Sequence, residues 1–322
     1  MAKTTFDPGL TLSYAGRTGK TIREDGQFNV RREGVRWQDA GWFLHFMNLS
    51  WPAFLAQMPL IYLGVITVFA GLYLAAGIGN LQGAGGATAV EAWWSAFFFS
   101  VQTFTTVGYG HIAPVSFTAS AIAAVEAMSG ILSLAIATGL IYARFSRPTA
   151  HLAFSAKALI APFEGGRALM FRLANRRPNV LMELEARVLL MTVAEEDGVK
   201  KRRYVQLALE RERIYFLPLA WTVVHPVDER SPLWGKTAAD LEREQAELLV
   251  LVKAFDDTFS QTVHARHSYT PGEVEWGARF EPAFRVDGDG AMVLELKRLN
   301  CFAAAELPEP RPPSDPLGRS TG

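Results

Sequence analysis

The stretch Thr106-Val107-Gly108-Tyr109-Gly110 lies between two apolar segments, each long enough to cross a bilayer. It offers a row of backbone carbonyls and one threonine hydroxyl, all able to face a narrow axis. Carbonyl oxygens in such a row replace the water shell of a dehydrated potassium ion. Glycine suits the loop because alternate residues need backbone angles that a side chain resists. In a soluble protein the same five residues would read as a strand and a turn. The flanking spans make them an ion-selectivity filter, with K+ held by Thr106, Val107, Gly108, Tyr109 and Gly110.

Immediately before the filter, Glu91–Thr105 carries Trp93, Trp94, Phe97, Phe98, Phe99 and Phe104. A helix of that length rises only ~22 Å, too short to span upright. It reads as a re-entrant pore helix whose aromatics pack behind the filter. The spans on either side are Pro52–Ala76, with Pro52 in the first turn where its missing N–H costs nothing, and Phe117–Phe145. Upstream, Trp37–Leu49 alternates aromatic and polar residues and is too short to span, so it is expected to lie along the interface.

Charge supports this layout. The chain carries 32 basic and 32 acidic residues, net zero, but from Trp37 to Ala143 there is no Lys or Arg, and the only acids are Asp39, Glu91 and Glu126. A charge at mid-bilayer costs roughly 2.5–3.5 kcal/mol on insertion scales, which explains the gap. Basic residues gather on both sides, so both termini are expected in the cytoplasm. The first 36 residues are polar, with no signal peptide evident, and are expected to form a mostly flexible arm. Glu126 is an intramembrane acid; a hydrogen-bonded brace behind the pore helix is favoured over direct ion contact.

Past residue 150 short strand-like runs recur, at Leu169–Leu173, Leu181–Thr192, Tyr204–Leu209, Tyr215–Val224, Leu248–Phe255, Val263–Tyr269 and Met292–Leu296. Their spacing predicts an all-β sandwich, with one short helix over Thr237–Glu247. The proline-rich end is expected to be disordered. The expected domains are thus 1–36, a cytoplasmic arm; 37–149, the pore module; 150–302, the β-sandwich; and 303–322, the tail. One cysteine, Cys301, allows no intrachain disulfide. His264 and His267 lack a third ligand, so no metal site is expected. No catalytic motif is present, so an enzyme is not expected, and neither is a nucleic-acid partner.

Several motifs outside the filter resemble the prokaryotic inward-rectifier potassium channels. They are Ser50-Trp51-Pro52, Phe98-Phe99-Ser100-Val101-Gln102-Thr103, and the membrane exit Gly139-Leu140-Ile141-Tyr142-Ala143-Arg144-Phe145-Ser146-Arg147-Pro148. Arg172-Leu173-Ala174-Asn175, Ser268-Tyr269 and Trp276-Gly277 follow in the soluble part. The resemblance implies a membrane α fold of two transmembrane helices, a re-entrant pore helix and an interfacial slide helix, with a C-terminal immunoglobulin-like all-β sandwich. It implies a homotetramer, hence three identical subunits as partners, in a bacterial plasma membrane. By position, Gly130 would be the inner-helix hinge, and Leu134 and Tyr142 would line the pore, Tyr142 at the helix-bundle crossing. Thr258–Ala265 would form a cytoplasmic girdle. Arg144, Arg147 and Lys157 would meet anionic phospholipids or phosphoinositides, at ~1 kcal/mol for each juxtamembrane base. K+ in the pore is the only ion implied, with no other cofactor.

Two departures from the resemblance matter. Strongly rectifying eukaryotic members carry an acid or Asn where Leu134 stands, so steep polyamine block at that level is not expected, although Glu183 or Asp257 leave polyamines as a partner. Those members also carry a pore-helix Glu where this chain has Gln102, so the filter must be braced differently. The channel class was further expected to extend to voltage gating. The competing reading is a membrane-anchored ligand-sensing module with a vestigial pore; a third, a potassium uptake transporter, would usually repeat the helix–loop–helix unit found once here.

Overall fold

The computed structural model describes residues 9–14, 16, 19–31, 33–34, 41–85, 87–146, 150–196 and 198–309, the side chain of Glu196 excepted. They fall into two compact units: residues 32–147, and residues 1–31 together with 148–322.

The first unit is helical. Helix α1 spans Trp42–Asn48, α2 Trp51–Ala76, α3 Ala89–Phe104 and α4 Phe117–Phe145. Among the described residues, only α2 and α4 are long and apolar enough to cross a membrane. The starts of α2, α3 and α4 each have a side-chain cap. Ser50 Oγ accepts from Ala53 N, Ser116 Oγ accepts from Ala119 N, and Thr88 with Glu91 forms a reciprocal capping box on α3. That box starts α3 two residues before the expected Glu91. Helix α1 begins at Trp42 rather than Trp37; residues 37–40 lie outside the described ones.

Small side chains let these helices approach. Ala70 of α2, Ala96 of α3 and Ala119 of α4 are fully buried in one cluster with Tyr73 and Phe99. Aromatic edges lock the α2–α3 contact, Tyr73 on Phe99 with centroids 5.0 Å apart and Tyr62 on Phe104 at 5.3 Å.

A two-residue ladder ties the loops around α3. Strand β1, Leu81–Gln82, pairs antiparallel with β2, Ala113–Pro114, and Val115 N donates to Asn80 O at 2.9 Å. Gly83 follows β1 at φ 81; a Cβ there would sit 2.1 Å from His111 O. Only glycine permits that crossing.

The second unit is a β-sandwich. One sheet contains β6 (Leu181–Glu196), β7 (Val199–Leu207), β8 (Arg213–Phe216), β10 (Glu247–Asp256) and β11 (Gln261–Tyr269). The other contains β3 (Leu152–Phe154), β4 (Ala158–Phe163), β5 (Gly166–Asn175), β9 (Ala220–Val227) and β12 (Val274–Trp276). Inward residues of both sheets, among them Ile160, Phe171, Leu184, Leu190, Val223 and Val250, form one core.

The strand expected over Tyr215–Val224 is two strands in different sheets, because Leu217-Pro218-Leu219 turns between them and Pro218 cannot donate to a ladder. The short helix, α5, covers Ala238–Arg243 and stops where Gln245 takes φ 47 before β10. Shorter pairings passed unrecognised: β13 (Ala278–Phe280) with β16 (Phe302–Ala304), and β14 (Phe284–Val286) with β15 (Met292–Leu294). The tail expected from residue 303 therefore begins later; Ala304 is still paired with Ala278.

The expected flexible arm also differs. Between Leu10 and Asn29 it is bound to the sandwich. Glu247 is a buried acid in β10 that needs donors. Thr21 supplies both, its N–H at 2.7 Å and its hydroxyl at 2.5 Å. Lys20 Nζ reaches Glu273 Oε1 at 2.8 Å, Ser268 Oγ donates to Ile22 O, and Ile22 is buried against Met191 and Leu249. Burying Ile22 contributes about 1.5–3 kcal/mol, enough to offset the ordering of only one or two residues, so the hydrogen bonds of Thr21 and Lys20 must share in holding the arm. His267, stacked on Phe154 at 4.9 Å, is pushed down to about 4, first by burial and then by Lys20, so its ring is neutral at physiological pH.

Candidate functional site

Helix α3 ends at Phe104, and Thr105 and Thr106 turn back on it through N–H bonds to Val101 O (3.0 Å) and Thr103 O (3.1 Å). The backbone then alternates in hand. Thr106, Gly108 and Gly110 have φ of 61, 53 and 78, whereas Val107 and Tyr109 are not on the positive side. In an ordinary strand successive carbonyls point to opposite sides. Alternating hand turns successive carbonyls toward the same side, which makes a row of oxygens. Thr106 has no glycine's freedom; an L-residue there costs about 1–2 kcal/mol and is held by its bond to Thr103. Gly108 N donates to Gln102 O at 3.2 Å, so Gln102 braces the loop through its backbone.

The loop is bare within one subunit. Tyr109 is 79% exposed, and the lining of Thr106–Gly110 is exposed throughout. One subunit therefore presents one wall of a site.

Behind α3 lies the buried acid. Glu126 of α4 is completely buried. Its Oε2 accepts from the Tyr73 hydroxyl of α2 at 2.7 Å, and its Oε1 accepts from Ser100 Oγ of α3, which also reaches Ile66 O of α2 at 3.0 Å. One carboxyl thus ties three helices on the side away from the filter, the brace favoured from sequence. Its partners Tyr73 and Ser100 went unrecognised, because they stand 53 and 26 residues away. Glu126→Gln should keep selectivity but lower the thermal stability of the detergent-solubilised oligomer, since an amide leaves one hydroxyl mispaired at about 1–3 kcal/mol per subunit. A large change in ion flux with unchanged melting would overturn the brace assignment.

One turn further along α4, Gly130 meets the end of α3. A Cβ there would lie 2.0 Å from Phe104 O. The expected hinge position is thus also a close approach between α4 and the end of α3. Leu134 and Tyr142 are 60% and 73% exposed on α4, without neighbours in the subunit that would claim them as core.

The expected lipid-binding bases are placed differently from one another. Arg144 is engaged within its own unit: its guanidinium donates to Phe46 O and to Leu49 O (2.8 Å) and stacks on Trp51 and Phe54 at 4.7 Å from each centroid. It fastens α1 and the start of α2 to the C-terminal end of α4. Lys157 is paired with Glu275. Arg147 lies outside the described residues. Thr258–Ala265 covers the turn and first half of β11, with buried Asp256 accepting from Thr258 N at 3.0 Å. Glu183 takes φ 49 beside the β6 bulge and is exposed, as is Asp257.

Comparison with known proteins places this geometry. Residues 152–312 match the inward rectifier potassium channel C-terminal domain, and residues 61–147 match an ion channel model. The chain is 37% identical over 294 residues to the inward rectifier potassium channel Kirbac3.1 of Paramagnetospirillum magnetotacticum, across 89% of this chain and 97% of that protein. It is 28% identical over 283 residues to the ATP-sensitive inward rectifier potassium channel 12 of Mus musculus, across 81% and 66%. To inward rectifier potassium channel 4 of Mesocricetus auratus it is 32% identical over 239 residues, across 68% and 54%. It therefore spans about half to two thirds of these rodent relatives. The voltage-gating expectation is not upheld. The C-terminal match is to an inward rectifier model, and the two spans carry only Glu126 and, near the end of the second, Arg144, not the repeated arginines that move in a voltage field.

Proposed function

This chain belongs to the inward rectifier potassium channels, and on that premise we propose how its residues carry the ion. It conducts potassium passively across a membrane. Four copies surround one axis, each giving the carbonyl row of Thr106–Gly110 and the Thr106 side chain. The alternating positive φ at Thr106, Gly108 and Gly110 is the observation that supports this most directly. A single row cannot replace a hydration shell, whereas four rows can. The bare filter and the exposed apolar surface of α4 are consistent with further copies covering them. The C-terminal end of α3 adds its partial negative charge toward the cavity and favours a cation there.

Both termini lie in the cytoplasm of a bacterial cell, with α1 along the inner leaflet. Tyr142 is the narrowest apolar point when the pore is closed; four rings converging at one level close a pore sterically or by dewetting. The girdle around Thr258–Ala265 is the second constriction. Anionic lipid acts at this end of the spans through Arg147 and through the Arg144-fastened α1. Polyamines, where they act, meet Glu183 or Asp257 and not the apolar Leu134 level.

The test is tracer potassium uptake into liposomes carrying the purified protein. Potassium-selective uptake is expected, and none at all would favour the sensor with a vestigial pore. Tyr142→Ala should raise basal uptake about tenfold, a shift of ~1.4 kcal/mol in the gate equilibrium, with selectivity intact. Uptake no higher than the parent, at normal oligomer yield, would move the gate to the girdle.

A further inference from the structure

A cleft of 510 Å³ opens in the β-sandwich between the β4–β5 turn and the loop after β9. Its apolar walls are aromatic and imino: Phe163, Trp234 and Trp276, with Pro226 and Leu233. Conduction makes no use of it, and none of the expected site residues lines it.

The C-terminal segment runs to its rim. Leu307 packs against the sandwich core, and the Pro308 carbonyl accepts from Arg167 Nε at 2.7 Å. Arg167 itself lines the cleft. The residues that come next are Glu309-Pro310-Arg311-Pro312-Pro313. Pro310–Pro313 has the P-x-x-P spacing of a polyproline II ligand. Such a segment is preformed, so docking it in an aromatic groove costs little conformational entropy. At ~3.1 Å per residue, a polyproline II segment over residues 310–313 would reach roughly 6–16 Å beyond Pro308, the scale of the cleft.

Charge agrees with this occupant. Glu164 and Asp228 stand in the cleft lining and suit Arg311. Two of the bases there are already engaged, Lys236 by Glu244 and Arg167 by the Pro308 carbonyl.

We infer that this cleft is the docking site for the chain's own proline-rich segment Pro310–Pro313, with Arg311 against Glu164 and Asp228. The tether is short. With an effective concentration of ~1 mM, a site of ~0.1 mM intrinsic affinity is filled about ten to one.

Hydrogen exchange tests it on the assembled channel, comparing the full chain with one ending at Glu309. Amides of the β4–β5 turn and of residues 228–236 should exchange about tenfold more slowly in the full chain. Adding a synthetic peptide of residues 309–317 to the shortened channel should restore that protection. Arg311→Glu in the full chain should remove it, and this change lies outside the sandwich, so it leaves folding alone. Trp234→Ala should remove it from the other side. Equal exchange in the two chains overturns the inference and leaves the cleft to another occupant. Protection that is lost on truncation but survives Arg311→Glu, and is not restored by peptide, also overturns it, because it would then come from the Leu307–Pro308 anchor alone.

Discussion

Gly108→Ser is expected to abolish potassium-selective flux while leaving an assembled oligomer. Gly108 sits at φ 53. A serine held there costs about 1–2 kcal/mol per chain, and in the proposed tetramer four copies carry that cost together. The loop can relieve that strain only by turning Gly108 toward ordinary angles, which swings one carbonyl of each row off the axis. Within one subunit a Cβ at Gly108 meets nothing within 4 Å. The damage is therefore conformational and not a clash inside the chain, so the helices should still assemble. Paired potassium and sodium uptake in liposomes, with size-exclusion elution as the check on assembly, reads both halves of the expectation. Parent-like discrimination of potassium over sodium in Gly108→Ser would sink the filter assignment.

Gly130→Ala should do the opposite kind of harm. The added methyl would have to occupy space 2.0 Å from Phe104 O and 2.9 Å from its carbonyl carbon. Both atoms are backbone, so no rotamer change makes room. Helix α4 must move off α3, and Glu126, one turn away, must loosen its bonds to Tyr73 and Ser100. Overpacking of this kind costs typically 1–3 kcal/mol per site, here in every subunit. A sharp fall in oligomer yield is expected, and the protein recovered should have lost selectivity because Phe104 leads directly into Thr105 and Thr106. Gly139→Ala is the control: it lies in the same helix with nothing within 4 Å and should behave as the parent. The hinge reading of Gly130 makes a different forecast, normal yield and selectivity with only the open fraction altered. That result would show that α4 yields at this contact and would favour the hinge.

Much was legible along the chain because membrane physics writes itself locally. A bilayer excludes charge, so the gap in Lys and Arg from Trp37 to Ala143 marked the pore module, and α4 covers Phe117–Phe145 as read. The backbone hand of residues 106–110 was legible because glycine at alternate places betrays the angles that they adopt. The longer strands were legible by their alternation, since burial alternates along residues 184–190 of β6 and 250–256 of β10. Where alternation is too short to register, as in β13–β16, or interrupted, as at Leu217-Pro218-Leu219, it was not.

Only tertiary structure decided which charged and polar groups are spoken for. That the Arg144 guanidinium donates to the carbonyls of Phe46 and Leu49, far away in sequence, could not be read from the sequence. The N-terminal arm looked flexible until buried Glu247 supplied the acceptors for Thr21. That Gly130 also stands against Phe104 O could not be read from the sequence. Sequence determines what each residue prefers over a few neighbours: its span, its cap, its backbone hand. Hydrogen bonds and close contacts between distant segments depend on where the chain returns, and that is fixed by packing of the whole.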